Sequence, residues 1–198
     1  MHSKNKTGIE LITFLGNPGN DYARTRHNIG MMVAEYISND YSLSWQKKFR
    51  GLYSYINFSG RKIHLLQPET FMNKSGESIK PCSDFFKIDP ENILVVHDEI
   101  ELKFGVIDIK YSGGLGGHNG LRSIVQHLGT KDFFRLRIGV SKPQYGDVAG
   151  YVLSNFTSEE QEHIPEILTE SKKAVELILK DPDTAIKSYR KKTVIQNQ

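Results

Sequence analysis

Ile93-Leu94-Val95-Val96-His97-Asp98-Glu99 decides the fold. Its first four residues form the most fully apolar run in the chain, and a run with no polar alternation belongs to a central strand covered on both faces. Asp89-Pro90-Glu91 makes a turn before it, and three adjacent polar residues close it. In open α/β sheets the carboxyl ends of strands are where ligands sit. Ile9 to Leu15 is a second short apolar run, broken by Thr13 and ended by the turn Gly16-Asn17-Pro18-Gly19. Asn17 and His27 therefore emerge at the same kind of strand end as Asp98.

Helical periodicity follows that first strand. Ile29, Met32, Val33, Tyr36 and Ile37 recur at three- and four-residue steps from about Asn28 to Asn39, so His27 lies at or just before a helix start. A helix start disfavours imidazolium, and a neutral imidazole is what a general base must be. Leu52 to Phe58 and Lys62 to Gln67, joined by Ser59-Gly60, read as a β-hairpin. Phe71-Met72-Asn73 enters a helix to about Lys87 whose apolar side is Ile79, Cys82, Phe85 and Phe86. Asn73 reads locally as a helix cap more readily than as a ligand contact.

Val106 to Tyr111 is a further strand, and the glycine-rich Ser112 to Gly120 opens a helix over Leu121 to Leu128. Its free N–H groups suit an anion or a carbonyl oxygen, but the Gly-Lys-Ser/Thr ending of a phosphate loop is missing. Phe133 to Val140 is a strand with Arg135 and Arg137 on one side by alternation. Ser158 with Gln161 suggests a capping box, Pro165 a kink or restart, and Asp181-Pro182 the start of a last short helix. Strands alternating with helices, plus one hairpin, predict a single α/β domain: a mixed, mostly parallel twisted sheet with helices on both faces. The expected boundaries are a flexible extension over 1–8, the domain over 9–190 and a basic, polar tail over 191–198.

Composition narrows the classes. A chain of 198 residues, 38% hydrophobic, buries a sizeable core without a staple. Cys82 is the single cysteine, which excludes an intrachain disulfide. The N-terminus lacks an apolar signal region and no segment reaches the ~18 consecutive apolar residues of a membrane span, so a cytoplasmic protein is expected. A net charge of +3 is too mild to imply nucleic acid by itself. Basic residues do cluster, at Lys47 to Arg50, Arg61-Lys62, Lys103 and Lys110, Lys131 to Lys142, and Lys187 to Lys192.

Four blocks carry a resemblance. Leu15-Gly16-Asn17-Pro18-Gly19 with Tyr22 and Thr25-Arg26-His27-Asn28-Ile29-Gly30, then Phe71-Met72-Asn73 with Ser75-Gly76, then His97-Asp98-Glu99, then Gly116-Gly117-His118-Asn119-Gly120-Leu121 closely resemble the signature of bacterial-type peptidyl-tRNA hydrolases, in the same order. The resemblance spans about Glu10 to Arg190 and implies the same fold. It implies hydrolysis of the ester between a peptide and the 3′-terminal ribose of tRNA, with peptidyl-tRNA as the partner, no cofactor, no membrane, no obligate protein partner, and a monomer.

By resemblance, His27 is the base that activates water and Asp98 its support. Asn17 contacts the peptide; Tyr22, Phe71, Asn73 and Asn119 contact the 3′ end of the substrate, Asn73 being a candidate oxyanion donor. Lys110 and Arg137 match positions that clamp an acceptor-end phosphate. His118 is given a structural role, and Ser141-Lys142-Pro143 departs from the family's usual Gly-x-Pro turn. A metal site at His97-Asp98-Glu99 is disfavoured because alternate side chains of a strand face opposite ways and no HExxH or CxxC motif exists. Direct attack by water is expected, since no serine sits in a Gly-x-Ser-x-Gly elbow. The rivals are a catalytically silent RNA-binding relative and a nucleotide-binding α/β domain. The joint presence of His27, Asp98, Asn17, Asn73 and Asn119 opposes the first, and the absent phosphate-loop lysine the second.

Overall fold

A computed structural model describes residues 8–143 and 145–195. Its strands are β1 (Leu11–Phe14), β2 (Gln46–Lys48), β3 (Gly51–Phe58), β4 (Arg61–Pro68), β5 (Ile93–Glu99), β6 (Val106–Tyr111), β7 (Phe134–Gly139) and β8 (Lys192–Thr193). They form one sheet in the order β2-β3-β4-β1-β5-β7-β6-β8. The helices are α1 (Ile29–Tyr41), α2 (Gly76–Phe86), α3 (Asn119–Leu128), α4 (Val148–Val152), α5 (Ser158–Lys180) and α6 (Pro182–Ser188).

Every residue of β1 and of β5 is buried, which is why neither strand shows polar alternation. Alternate side chains feed two separate cores. Ile12, Phe14, Leu94 and Val96 pack with residues of α1, α5 and α6, whereas Leu11, Ile93 and Val95 pack with residues of α2 and α3. Each such side chain contributes on the order of 1.5–3 kcal/mol on full burial, so a polar substitution inside either run is costly. Helices on both faces agree with the expectation from sequence.

The proportion of strand directions does not. β4–β1, β1–β5 and β5–β7 are parallel, but β2–β3, β3–β4, β6–β7 and β6–β8 are antiparallel, so the sheet is mixed with a parallel centre and antiparallel flanks, not mostly parallel. One flank is the expected hairpin, pairing Leu52 with Gln67 and turning through Ser59 (φ +49°) and Gly60 (φ +76°), the left-handed pair that suits the twist of two strands.

Lys192–Thr193, placed in a polar tail by composition, instead pair with β6, and Val194 and Ile195 pack on the core. The rest of the 1–8 extension apart from Gly8, and residues 196–198 of the tail, lie outside the described residues. The expected helix from Phe71 begins as a 3₁₀ turn at Met72–Lys74 before α2, and Phe85 turns out to be exposed. The capping box sits one residue earlier than read, on Thr157 and Glu160, and α5 continues through Pro165 without a restart. Asp181 caps α6 through Thr184 N–H (3.1 Å). Among the described residues no helix is long and apolar enough to cross a membrane.

Candidate active site

Two helix starts, one from each layer, converge on the carboxyl end of β5. His27 lies in a 3₁₀ turn, Arg26–Asn28, directly ahead of α1. Gly30 permits this approach: a Cβ there would stand 2.6 Å from both Leu15 O and Val96 O, so α1 lies against the ends of β1 and β5 more closely than any side chain allows. The result is a 2.8 Å hydrogen bond between His27 Nδ1 and Asp98 Oδ1. An ionised carboxylate only accepts, so Nδ1 carries the proton and Nε2 keeps the ring's lone pair.

His118 arrives from the other layer. It caps α3, its Nδ1 accepting from Gly120 N–H (3.1 Å) and Leu121 N–H (3.3 Å). The proton must then be on Nε2, which donates to the same Asp98 oxygen at 3.0 Å. The two imidazoles are 5.0 Å apart, centre to centre. Burial alone would raise the pKa of Asp98, but the facing His118 and His27 outweigh it and hold the carboxyl well below the usual carboxylate range. His97, fully buried beneath, donates through Nδ1 to Asp98 O (2.6 Å), and burial, then His118, lowers its pKa well below the ordinary histidine value.

His27, Asp98 and His118 place three metal-ligating atoms within 4.8 Å of one another. The set nonetheless suits protons better than a cation. A metal on His118 Nε2 would need a lone pair there, and the ring's lone pair is already spent at Nδ1 on the two helix N–H groups.

These residues stand at the wall of a cavity of about 840 Å³, lined also by Asn17, Tyr22, Phe71, Asn73 and Asn119. All of the nominated residues except Lys110 and Arg137 therefore come together. Asn17 Oδ1 accepts from Met72 N–H (2.8 Å), which fixes the amide and leaves its NH₂ without a hydrogen-bond acceptor among the described residues. Asn28 clamps the Asn17 backbone from both sides, accepting its N–H (2.8 Å) and donating to its C=O (2.9 Å). Asn119 Oδ1 accepts from Arg122 (3.2 Å), so its NH₂ is likewise left over. Asn73 is exposed and makes no cap bond, contrary to its local reading.

Arg137 lies outside the cavity lining and is held by two carboxylates. Its guanidinium is taken by Glu99 (Nε to Oε2, 3.0 Å) and Asp108 (NH1 to Oδ2, 2.6 Å), with all three side chains largely buried. Despite burial, Glu99 and Asp108 raise its pKa; one N–H on Nε and one on each terminal nitrogen face these carboxylates, and one on each terminal nitrogen remains. Lys110 is exposed and has no anionic partner among the described residues. It lies against the glycine loop, where a Cβ on Gly113 would meet its Cε at 2.8 Å. Arg135 is fully buried and ties that loop to β7 through Gly113 O (2.9 Å) and Gly114 O (2.7 Å).

Two further groups complete the surroundings of His27 and Asp98. His118, read as structural, is the second donor to Asp98; the signal was its place one residue ahead of a helix, where a side-chain acceptor is wanted. Arg26 is buried next to His27, bonds Ser154 Oγ (2.8 Å) and lies 4.4 Å over the Tyr151 ring, which pins α4, a wall of the cavity, to the turn that carries His27. Nothing local in the sequence announces that partner 128 residues away.

Comparisons with known proteins give the family. The family model described as "Peptidyl-tRNA hydrolase" matches residues 11–197. The chain is 46% identical over 169 residues to the peptidyl-tRNA hydrolase of Listeria welshimeri, covering 85% of this chain and 92% of that one. It is 43% identical over 185 residues to that of Desulfitobacterium hafniense, covering 92% and 100%. The crystal structure of the peptidyl-tRNA hydrolase from Acinetobacter baumannii superposes with a TM-score of 0.88 at 39% identity, covering 94% of this chain and 97% of that one. This chain belongs to the peptidyl-tRNA hydrolase family.

Proposed function

We infer that this protein hydrolyses the ester joining a peptide, or an N-blocked amino acid, to the 3′-terminal ribose of tRNA, releasing free tRNA. The observation that carries the chemistry is the 2.8 Å His27–Asp98 bond at the wall of an 840 Å³ cavity. With its Nδ1 proton held by Asp98, His27 offers Nε2 to a water. The base takes one proton as the water oxygen attacks the ester carbonyl carbon. The tetrahedral intermediate then collapses, the carbon–ribose oxygen bond breaks, and the departing hydroxyl takes the proton back from His27. His118 donates to Asp98 from the other side and keeps that carboxylate charged and fixed.

The amide NH₂ groups of Asn17, Asn73 and Asn119 are the donors available for the carbonyl oxygens of the substrate, Asn73 being our candidate for the developing oxyanion. Tyr22 and Phe71 offer flat surfaces to the terminal nucleotide. Lys110 remains the candidate for a backbone phosphate; such a contact is blind to sequence and suits an enzyme acting on every tRNA. All of these groups come from one chain, so we read the active form as a monomer, working in the cytoplasm where its substrate is made.

Peptidyl-tRNA and aminoacyl-tRNA share the same ester, so discrimination lies at the nitrogen beyond it, neutral in one and largely protonated in the other. The Asn17 NH₂ can donate to a peptide carbonyl and offers an ammonium no counter-charge. The test is turnover of N-acetyl-aminoacyl-tRNA against free aminoacyl-tRNA by the purified protein. The acetylated substrate should be cleaved and strongly preferred, and Asn17→Asp should narrow the preference by about tenfold. No release from the acetylated substrate would refute the activity; an unchanged ratio in the variant would move discrimination away from Asn17.

A further inference from the structure

Asn17 has a cavity on each side of it. Beyond the catalytic one lies a groove of about 450 Å³ between the turn after β1, the start of α1 and the ends of β3 and β4. Its floor is apolar, from Met31, Met32, Trp45 and Leu52, and its rim carries Glu35 and Glu69. Both glutamates are exposed and neither has a cation partner among the described residues; no lysine or arginine lines the groove. A third, smaller hollow joins the two, sharing Phe71 and Lys74 with the catalytic cavity and Pro18 and Glu69 with the groove; its remaining charged residue, Arg50, is paired with Glu77.

We propose that this groove is a distal subsite for the peptidyl moiety, and that it favours peptides carrying a basic or long apolar side chain three to five residues from the ester. The inference rests on the hydrolase reading above. Continuity fixes the end of the substrate that enters: Asn17, assigned above to the acyl side, is the shared wall. Five extended residues span roughly 16 Å, enough to pass from the ester over Pro18 and Phe71 into the groove. Charge excludes the other end. A polyphosphate would meet two unpaired carboxylates here, whereas the exposed Lys110 stands by the glycine loop, outside the groove. Two flexible methionines and a tryptophan suit a site that must accept side chains of varied shape.

The test pairs two substrates with two variants. The substrates are N-acetyl-aminoacyl-tRNA, too short to reach the groove, and a peptidyl-tRNA bearing an N-blocked pentapeptide with lysine at its far positions. For Glu35→Lys combined with Glu69→Lys, kcat/KM for the pentapeptide substrate should fall about three- to tenfold, and for the short one less than about twofold. Glu35→Gln with Glu69→Gln should give a smaller loss in the same sense. Binding of the free fluorescent pentapeptide, which needs no turnover, should weaken in parallel. Equal effects on both substrates, no effect on either, or tighter binding of deacylated tRNA to the lysine variant would each overturn the subsite. Failure of the wild type on the short substrate would instead count against the hydrolase reading, and the peptide-binding arm would still decide the subsite.

Discussion

Asp98 and Glu99 are neighbours on one strand, both buried and both bound to cationic or proton-donating side chains, yet they belong to different kinds of network. Asp98 receives His27 and His118, and the partnership leaves His27 Nε2 at a cavity wall. Glu99 receives Arg137, which turns to Asp108, whose other oxygen accepts from Lys191 N–H (3.0 Å) next to β8. Glu99 lines the same cavity, but its network spends its charges on one another and ties β5, β7, β6 and the C-terminal strand together. Buried charge at the cavity wall is common to both; the proposed base differs in keeping a ring nitrogen that no protein group uses.

That contrast can be broken most severely at His27. His27→Ala should lower the rate of ester cleavage by about 10²–10⁴ while leaving tRNA binding largely intact, because the base acts in the transition state. Near-normal turnover in this variant would remove His27 from the mechanism, and lost binding would make it a substrate contact instead.

Arg137 and Lys110 sharpen the comparison in the opposite sense. Arg137→Ala leaves two buried carboxylates uncompensated and should destabilise the fold by about 3–5 kcal/mol in denaturant unfolding. The slope of tRNA binding against log salt should not change. Lys110→Ala should do the reverse, costing little stability and flattening that slope by roughly one unit or less. A changed slope in Arg137→Ala with unchanged stability would return Arg137 to the phosphate.

What could be read in advance follows from how local each cause is. Burial on two faces leaves its mark within the strand itself, so β1 and β5 were legible as apolar runs, and the hairpin was legible from Ser59-Gly60. β2 and β8 are short, polar edge strands with no periodicity to detect, and the antiparallel flanks depend on which strands finally pair. At the candidate site, His27, Asp98 and the three asparagines were named through their motifs, and all line one cavity. The ion pairs of Arg137 were not legible, because its charge is local information whereas Glu99 and Asp108 arrive beside it through strand register. His118 was underrated for a similar reason: capping a helix and donating to Asp98 use different nitrogens of one ring.

The central claim is that the carboxylate of Asp98 serves chemistry and that of Asp108 serves the fold. Turnover of N-acetyl-aminoacyl-tRNA, per folded molecule, by Asp98→Asn and by Asp108→Asn tests it most directly. The account predicts a fall of at least about tenfold for Asp98→Asn, whose amide no longer accepts two imidazole protons with a full charge, and a change within about twofold for Asp108→Asn. Equal rates in the two variants, or a larger loss at Asp108, would contradict it.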